Sequence, residues 1–163
     1  DEPVTTPDFY PTFLEAAELP PIPEQHCDGV SIMPLLEGEK NLDREAIFWH
    51  YPHYGNQGGT PGCSLRAGDW KLIEFFEDGR LELYDLIEDP GEDHNLAAAK
   101  PELTKRLQRM LVEWRERVGG KIPVKNPGHG PGSTKGLRSW TAMPSVIVVR
   151  RSTDFSKRGV SGT

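Results

Sequence analysis

Between Arg66 and Leu86, apolar and polar side chains alternate in a pattern that predicts two strands joined by a tight turn. Asp78-Gly79 indicates the turn, because a type I′ turn needs two central residues that tolerate positive φ. One face of the strand before the turn would carry Trp70, Leu72, Glu74 and Phe76. A two-stranded hairpin is only marginally stable in water, so we expect another strand or a helix to cover it.

Two neighbouring segments can provide that cover. Ala46 to Tyr51 is rich in residues that favour strands and predicts a third strand. After Pro101, apolar side chains recur at the intervals of one buried helical face, at Leu103, Leu107, Met110, Leu111, Trp114 and Val118. Gly119-Gly120 would end this helix. We therefore predict an α+β fold, in which a small antiparallel sheet of three to four strands carries a long helix packed on one face.

The first part of the chain predicts shorter elements. Thr6 as N-cap and Pro7 at the first helical position indicate the start of a helix. The apolar stripe of this helix would be Phe9, Tyr10, Phe13, Leu14 and Ala17. Residues 32–36 predict a further helical turn, and residues 53–62 predict a Gly-rich loop of a length that is often functional.

Charge is distributed unevenly along the 163 residues. Residues 1–125 carry 13 Lys and Arg against 24 Asp and Glu, whereas residues 126–163 carry 6 against 1. The acidic body argues against nucleic acid as a partner. We interpret residues 127–163 as a loosely ordered basic tail. No apolar stretch approaches the ~20 residues of a membrane span, so we expect none.

The chain opens on Asp1-Glu2-Pro3, without a methionine or a secretory segment. We therefore expect the chain to be a processed or excised piece of a longer protein, with any targeting signal outside these 163 residues. Cys27 and Cys63 are the only cysteines, and their spacing fits no zinc motif. Both a disulfide between them and two free thiols are compatible with the sequence.

Motifs that carry chemistry are scarce. The sequence contains no Gly-x-Ser-x-Gly, Walker loop, His-Glu-x-x-His or Gly-x-Gly-x-x-Gly. The concentrated polar cluster is at residues 50–56, with the sequence HYPHYGN. It is compatible with a binding edge that donates hydrogen bonds to an anionic or sugar ligand, or with an aromatic cluster at the end of a strand. A metal site would need further ligands, so we assign no metal ligand and no catalytic residue to this chain.

Three acidic residues after the predicted hairpin invite comparison with a calcium loop. Asp85, Asp89 and Asp93 lack the ligand spacing of such a loop, and Pro90 interrupts it. We interpret the three carboxylates as turn residues.

Five segments, in this order and spacing, carry a family likeness: 8–15 (DFYPTFLE), 28–38 (DGVSIMPLLEG), 44–54 (REAIFWHYPHY), 66–73 (RAGDWKLI) and 82–97 (ELYDL through DP to NLA). On these segments, residues 3–126 resemble the C-terminal part of the sulfatases, the arylsulfatase-like branch of the alkaline-phosphatase superfamily. The resemblance implies that residues 1–40 are a remnant of a large α/β catalytic domain and that residues 41–126 are the C-terminal sulfatase subdomain. The implied partners are that N-terminal catalytic domain and a sulfated small molecule or glycan.

The same resemblance implies a hydrolase of sulfate esters that uses calcium and a formylglycine. In the family, the formylglycine is made from Cys or Ser in a Cys/Ser-x-Pro/Ala-x-Arg motif upstream of this region. Neither Cys27 nor Cys63 is followed by the residues that this motif requires. We therefore expect this chain to bind neither cofactor by itself, and expect a periplasmic or secreted location for the full-length protein.

The resemblance leads to one functional hypothesis and two alternatives. In the hypothesis, the chain is the C-terminal part of a sulfatase, is inactive alone, packs on the catalytic domain and contributes substrate recognition through His50, His53 and Tyr54. One alternative is a stand-alone binding module for sulfated or acidic glycans. The other is a piece of a related phosphatase or phosphonate hydrolase.

Overall fold

The structure is a computed structural model that describes residues 2–55 and 59–124. These residues fall into two compact units, one within Asp1–Arg44 and one that begins at Glu45. The predicted tail at residues 127–163 lies outside the described residues. Within the two described ranges, no helix is both long enough and apolar enough to cross a bilayer.

The first unit contains short helical elements: a 3-10 turn at Thr6–Asp8, helix α1 at Phe9–Ala16 and helix α2 at Met33–Leu36. The N-cap is Thr5, one residue before the predicted Thr6. This shift occurs because the Asp8 carboxylate accepts a hydrogen bond from the Thr5 N–H at 2.7 Å, as in a capping box.

Asp8 ties the separate turns of this unit together. Its side chain is fully buried, and its Oδ1 accepts a hydrogen bond from the Val30 N–H at 3.0 Å. Gly29, just before Val30, passes so close to the first turn that a Cβ there would lie 2.1 Å from the Pro7 carbonyl oxygen. Only glycine fits this position, which explains why the turn before α2 contains one.

The second unit is a four-stranded antiparallel sheet with a helix on one face. The strands run in sheet order β1-β2-β3-β4, with β1 at Ile47–Tyr51, β2 at Gly62–Ala67, β3 at Trp70–Phe75 and β4 at Leu81–Asp85. Helix α3 spans Pro101–Arg117. The predicted α+β fold is therefore confirmed, at the upper end of the predicted strand number.

One row of apolar side chains crosses all four strands and forms the core with α3. The cross-strand pairs Phe48–Leu65, Leu65–Leu72 and Leu72–Leu83 place these four residues on one face. From α3, the predicted apolar stripe meets this row, and its fully buried members are Leu107, Leu111 and Trp114. The Trp114 ring stacks on that of Phe48, with centroids 4.9 Å apart. Each large side chain buried here stabilises the fold by about 1.5–3 kcal/mol.

Two details of the predicted hairpin are wrong. Arg66 belongs to β2, and a two-residue turn at Gly68 and Asp69, in which Gly68 takes a φ of 58°, separates it from β3. The connection from β3 to β4 is five residues long, at 76–80, and the Phe75 N–H donates to the Arg80 carbonyl across it. Only Gly79 of the predicted Asp78-Gly79 pair takes a positive φ, so the turn is not type I′.

Candidate functional site

The end of the sheet where β1 passes into β2 also holds the β3–β4 turn, because neighbouring strands are antiparallel. We call residues 51–55, 59–61 and 76–80 the rim. The two connections are joined by a hydrogen bond from the Phe76 N–H to the Pro61 carbonyl at 2.9 Å. The β1–β2 loop is closed on itself by a second bond, from the Gly55 N–H to the Gly59 carbonyl at 2.8 Å. The side chains of the rim are therefore carried by a backbone that these two hydrogen bonds hold in place.

Among the predicted site residues, His50 lies just inside the rim, on the helix face of the sheet. Its Nε2 lies 3.0 Å from the Lys121 carbonyl oxygen, and its ring centroid lies 5.6 Å from that of Phe76. Burial lowers the pKa of His50, and the nearby Arg115 guanidinium acts in the same direction, against the raising effect of the Lys121 carbonyl. His50 is therefore held as a neutral imidazole that donates to the chain segment after α3.

His53 and Tyr54 lie on the β1–β2 loop itself. The half-buried His53 ring meets the Tyr51 ring edge to face, with centroids 5.6 Å apart and planes at 88°. Tyr54 is 54% exposed, and its hydroxyl donates a 2.6 Å hydrogen bond to Glu77 Oε1 on the β3–β4 turn. This hydrogen bond is the largest cause that raises the pKa of Tyr54. The structure thus brings His53 and Tyr54 to the rim, whereas His50 is directed toward α3; their binding role stays a prediction.

Sequence reasoning missed two residues at this end of the molecule. Glu77 was absent from the prediction, since its partner Tyr54 is 23 positions away and meets it only across two connections. Arg115, on the buried side of α3, forms an ion pair with Glu74 and lies 5.5 Å from the Phe76 ring centroid. The sequence does contain one indication of Arg115: Glu74 lies on the otherwise apolar face of β3, and a buried carboxylate there needs a cation as its partner.

The acidic loop after β4 uses its carboxylates for backbone hydrogen bonds. Asp85 Oδ1 accepts from the Ile87 N–H at 3.2 Å, and Asp89 Oδ2 accepts from the His94 N–H at 2.8 Å. The backbone donors to Asp89 hold the pKa of its carboxyl below the ordinary value. The interpretation as a turn residue is confirmed for Asp89, whereas Asp85 is the last residue of β4 and its carboxylate bonds the turn that follows.

The calcium and formylglycine that the sulfatase resemblance implies for the full-length protein stay a prediction. No group of three or more His, Cys, Asp or Glu side chains in residues 2–55 and 59–124 is placed to hold a metal ion. Both cysteines are free thiols: Cys27 is exposed, while Cys63 is 2% exposed in the sheet core. Burial raises the pKa of Cys63 to about 11, which disfavours the thiolate.

Comparisons with known proteins point to one family. A family model described as N-sulphoglucosamine sulphohydrolase, C-terminal, matches residues 1–117. A sulfatase of Formosa agariphila is 36% identical over 125 residues, which cover 68% of this chain and 23% of the relative. Arylsulfatase K of Rattus norvegicus is 33% identical over 117 residues, covering 66% of this chain and 20% of the relative.

A solved structure supports the same relationship at the level of the fold. BT4656, in complex with its substrate D-glucosamine-2-N,6-O-disulfate, is similar with a TM-score of 0.59 and 32% identity, over 71% of this chain and 24% of that one. The chain thus spans 20% to 24% of the length of these three relatives. The family model of N-sulphoglucosamine sulphohydrolase C-terminal regions matches most of the described residues. The chain therefore belongs to this family of sulfatase C-terminal regions.

Proposed function

We propose that this chain is the C-terminal part of a sulfuric ester hydrolase and shapes substrate recognition beside a catalytic domain that another segment supplies. The observation that carries this proposal is the match of residues 1–117 to the C-terminal family model, together with coverage of only 23% of the Formosa agariphila relative. The chain would be inactive alone.

The expected inactivity follows from the chemistry of sulfate ester hydrolysis. The reaction needs an activated nucleophile and a cation that neutralises the sulfate oxygens. The sequence contains no Cys/Ser-x-Pro/Ala-x-Arg motif from which the family's nucleophile is made. Cys63 is buried, and its pKa of about 11 is unsuited to nucleophilic chemistry. These parts of the reaction therefore belong to the catalytic domain.

An apolar surface on the first unit supports packing against another domain. Phe9 and Phe13 stack on each other along α1, with centroids 6.2 Å apart, yet 45% and 66% of their surfaces are exposed. Leu36 of α2 is 69% exposed. Exposed aromatic and aliphatic side chains of this size are typical of interaction surfaces. We propose that the catalytic domain covers them.

At the rim, the side chains proposed to contact substrate are His53 and Tyr54. Both offer hydrogen-bonding groups on a loop that is held by the Gly55–Gly59 and Phe76–Pro61 backbone hydrogen bonds, so a ligand would meet them in a defined position. His50 would contribute by holding the end of β1 through its contact with the Lys121 carbonyl.

Two experiments test this function. The chain alone, incubated with an aryl sulfate, should give no turnover, and turnover would contradict the proposal. In the polypeptide that joins this chain to its catalytic domain, His53→Ala should raise KM about three- to ten-fold, the range expected for one lost hydrogen bond. Lys105→Ala, on the exposed side of α3, is the matched control and should leave KM unchanged. An unaltered KM in the His53 variant would refute the recognition role.

A further inference from the structure

Tyr54 and Glu77 form a pair that bridges the two rim connections. The Tyr54 hydroxyl donates to Glu77 Oε1 at 2.6 Å, while 54% of the tyrosine surface remains exposed. Glu77 is also exposed. Among the described residues, the hydrogen-bond donor seen at Glu77 is the Tyr54 hydroxyl, and it contacts Oε1. The pair therefore presents an aromatic face and a carboxylate oxygen with unused acceptor capacity.

The charges around this pair are unfavourable for an anion. Asp78 and Glu82 flank Arg80, with Nη1–Oδ2 and Nε–Oε1 distances of 3.1 and 3.2 Å. The Arg80 guanidinium also lies 3.7 Å from the Phe75 ring centroid. This cation is thus already compensated by Asp78 on the turn and Glu82 on β4, and Glu77 adds a further negative charge next to Asp78. A sulfate or carboxylate group would meet net repulsion here.

Uncharged sugar chemistry matches what the pair offers. A pyranose ring has an apolar face of C–H groups, which pack against an aromatic ring, and hydroxyl groups around its edge, which donate to a carboxylate. The exposed Tyr54 ring and the exposed Glu77 carboxylate supply these two complements next to each other. A hydrogen bond that a sugar hydroxyl donates to a carboxylate is charge-assisted, and it is stronger than a hydrogen bond between neutral groups.

We propose that Tyr54 and Glu77 form a subsite for an unsulfated sugar ring and that Glu77 discriminates against a second anionic group at this position. The identification of this sugar as part of a sulfatase substrate rests on the proposed function. The subsite itself is a property of this chain.

Binding to the isolated chain tests the subsite directly. The ¹⁵N-labelled full chain is titrated with N-acetyl-D-glucosamine and, separately, with its 6-O-sulfate, and backbone amide shifts are followed by NMR. We expect the neutral sugar to shift the amides of Tyr54, Gly55 and Glu77, and to bind more tightly than the sulfate. Absence of shifts at these amides with either sugar would overturn the proposal.

Variants of Glu77 separate charge from hydrogen bonding. Glu77→Gln keeps an acceptor oxygen for Tyr54 but removes the charge, so the affinity for the sulfated sugar should rise about five-fold relative to the neutral sugar. Glu77→Ala should lose binding of both. Glu88→Gln, an exposed acidic residue after β4, is the control and should change neither affinity. An unchanged preference in the Glu77→Gln variant would refute discrimination by charge.

The two proposals can fail separately. If His53→Ala leaves KM of the assembled enzyme unaltered while the chain still binds the neutral sugar at Tyr54 and Glu77, the recognition role is refuted and the subsite stands. If KM rises but the amide shifts are absent, the subsite is refuted and the recognition role stands.

Discussion

Arg44 neutralises Asp8 from 36 positions away, with Nη1 at 2.8 Å from Oδ1 and 2.9 Å from Oδ2 of a carboxylate that is 0% exposed. The Arg44 side chain is itself 5% exposed. Its Nη2 also donates to the Pro3 carbonyl at 2.5 Å, so a single guanidinium binds both the segment before the first turn and the buried acid. The pair joins the beginning and the end of the first unit.

Arg44→Met should destabilise the protein strongly. The substitution retains the apolar part of the side chain but leaves the Asp8 carboxylate buried without its cation, which typically lowers the free energy of unfolding by about 3–5 kcal/mol. Urea unfolding followed by circular dichroism measures this change. Lys40→Met, at an exposed position of the same unit, should stay within about 0.5 kcal/mol of the parent. Equal stability of the two variants would contradict the structural role of the pair.

His50 should make stability depend on pH. Burial lowers its pKa in the folded state below the 6.5 of an exposed histidine, so the unfolded chain takes up a proton first as pH falls. The contribution of neutral His50 is fully present above pH of about 6.5 and decreases below it. His50→Gln can still donate to the Lys121 carbonyl but does not titrate. The parent should therefore lose more unfolding free energy than this variant between pH 7.5 and pH 5.5, by comparison of urea midpoints; parallel losses would disprove the assignment.

The two thiols should differ in reactivity by their environment. Cys63 is 2% exposed, and burial raises its pKa to about 11, whereas Cys27 is exposed. A disulfide reagent that absorbs on reaction should label one thiol per folded chain quickly and the second only in denaturant. Cys27→Ser should abolish the fast reaction and leave the slow one. Rapid labelling of the Cys27→Ser variant would show that Cys63 is accessible.

Tyr54 should ionise at unusually high pH because Glu77 accepts its hydroxyl proton in a hydrogen bond and repels the phenolate. Glu77→Gln removes the repulsion, so the pKa of Tyr54 should fall toward the ordinary value of 10.0. Titration of the ¹³Cζ resonance of Tyr54 measures this pKa. Glu88→Gln should not alter it, and the same result for Glu77→Gln would show that the pair is not formed in solution.

Local periodicity was sufficient to predict the second unit in outline. The apolar spacing of α3 and the alternation along β3 and β4 indicate which side of each element faces the core. The order of side chains over a few residues is enough to determine that side. Strand β2 was recognised only in part. Its sequence, GCSLRA, has small side chains and little contrast between faces, and the turn at Gly68-Asp69 lies only two residues from the start of the predicted hairpin.

The amino-acid sequence by itself determined the family likeness, the α+β class and the position of the β1–β2 loop along the chain. Only the tertiary structure decided that Tyr54 meets Glu77, that His50 bonds the segment after α3, and that Arg115 is held by Glu74. Partners 23 to 71 positions apart meet through turn lengths and strand register, which no local pattern encodes. The chemistry of the rim therefore follows from how distant segments are brought together, whereas the elements that carry it follow from the order of side chains along the chain.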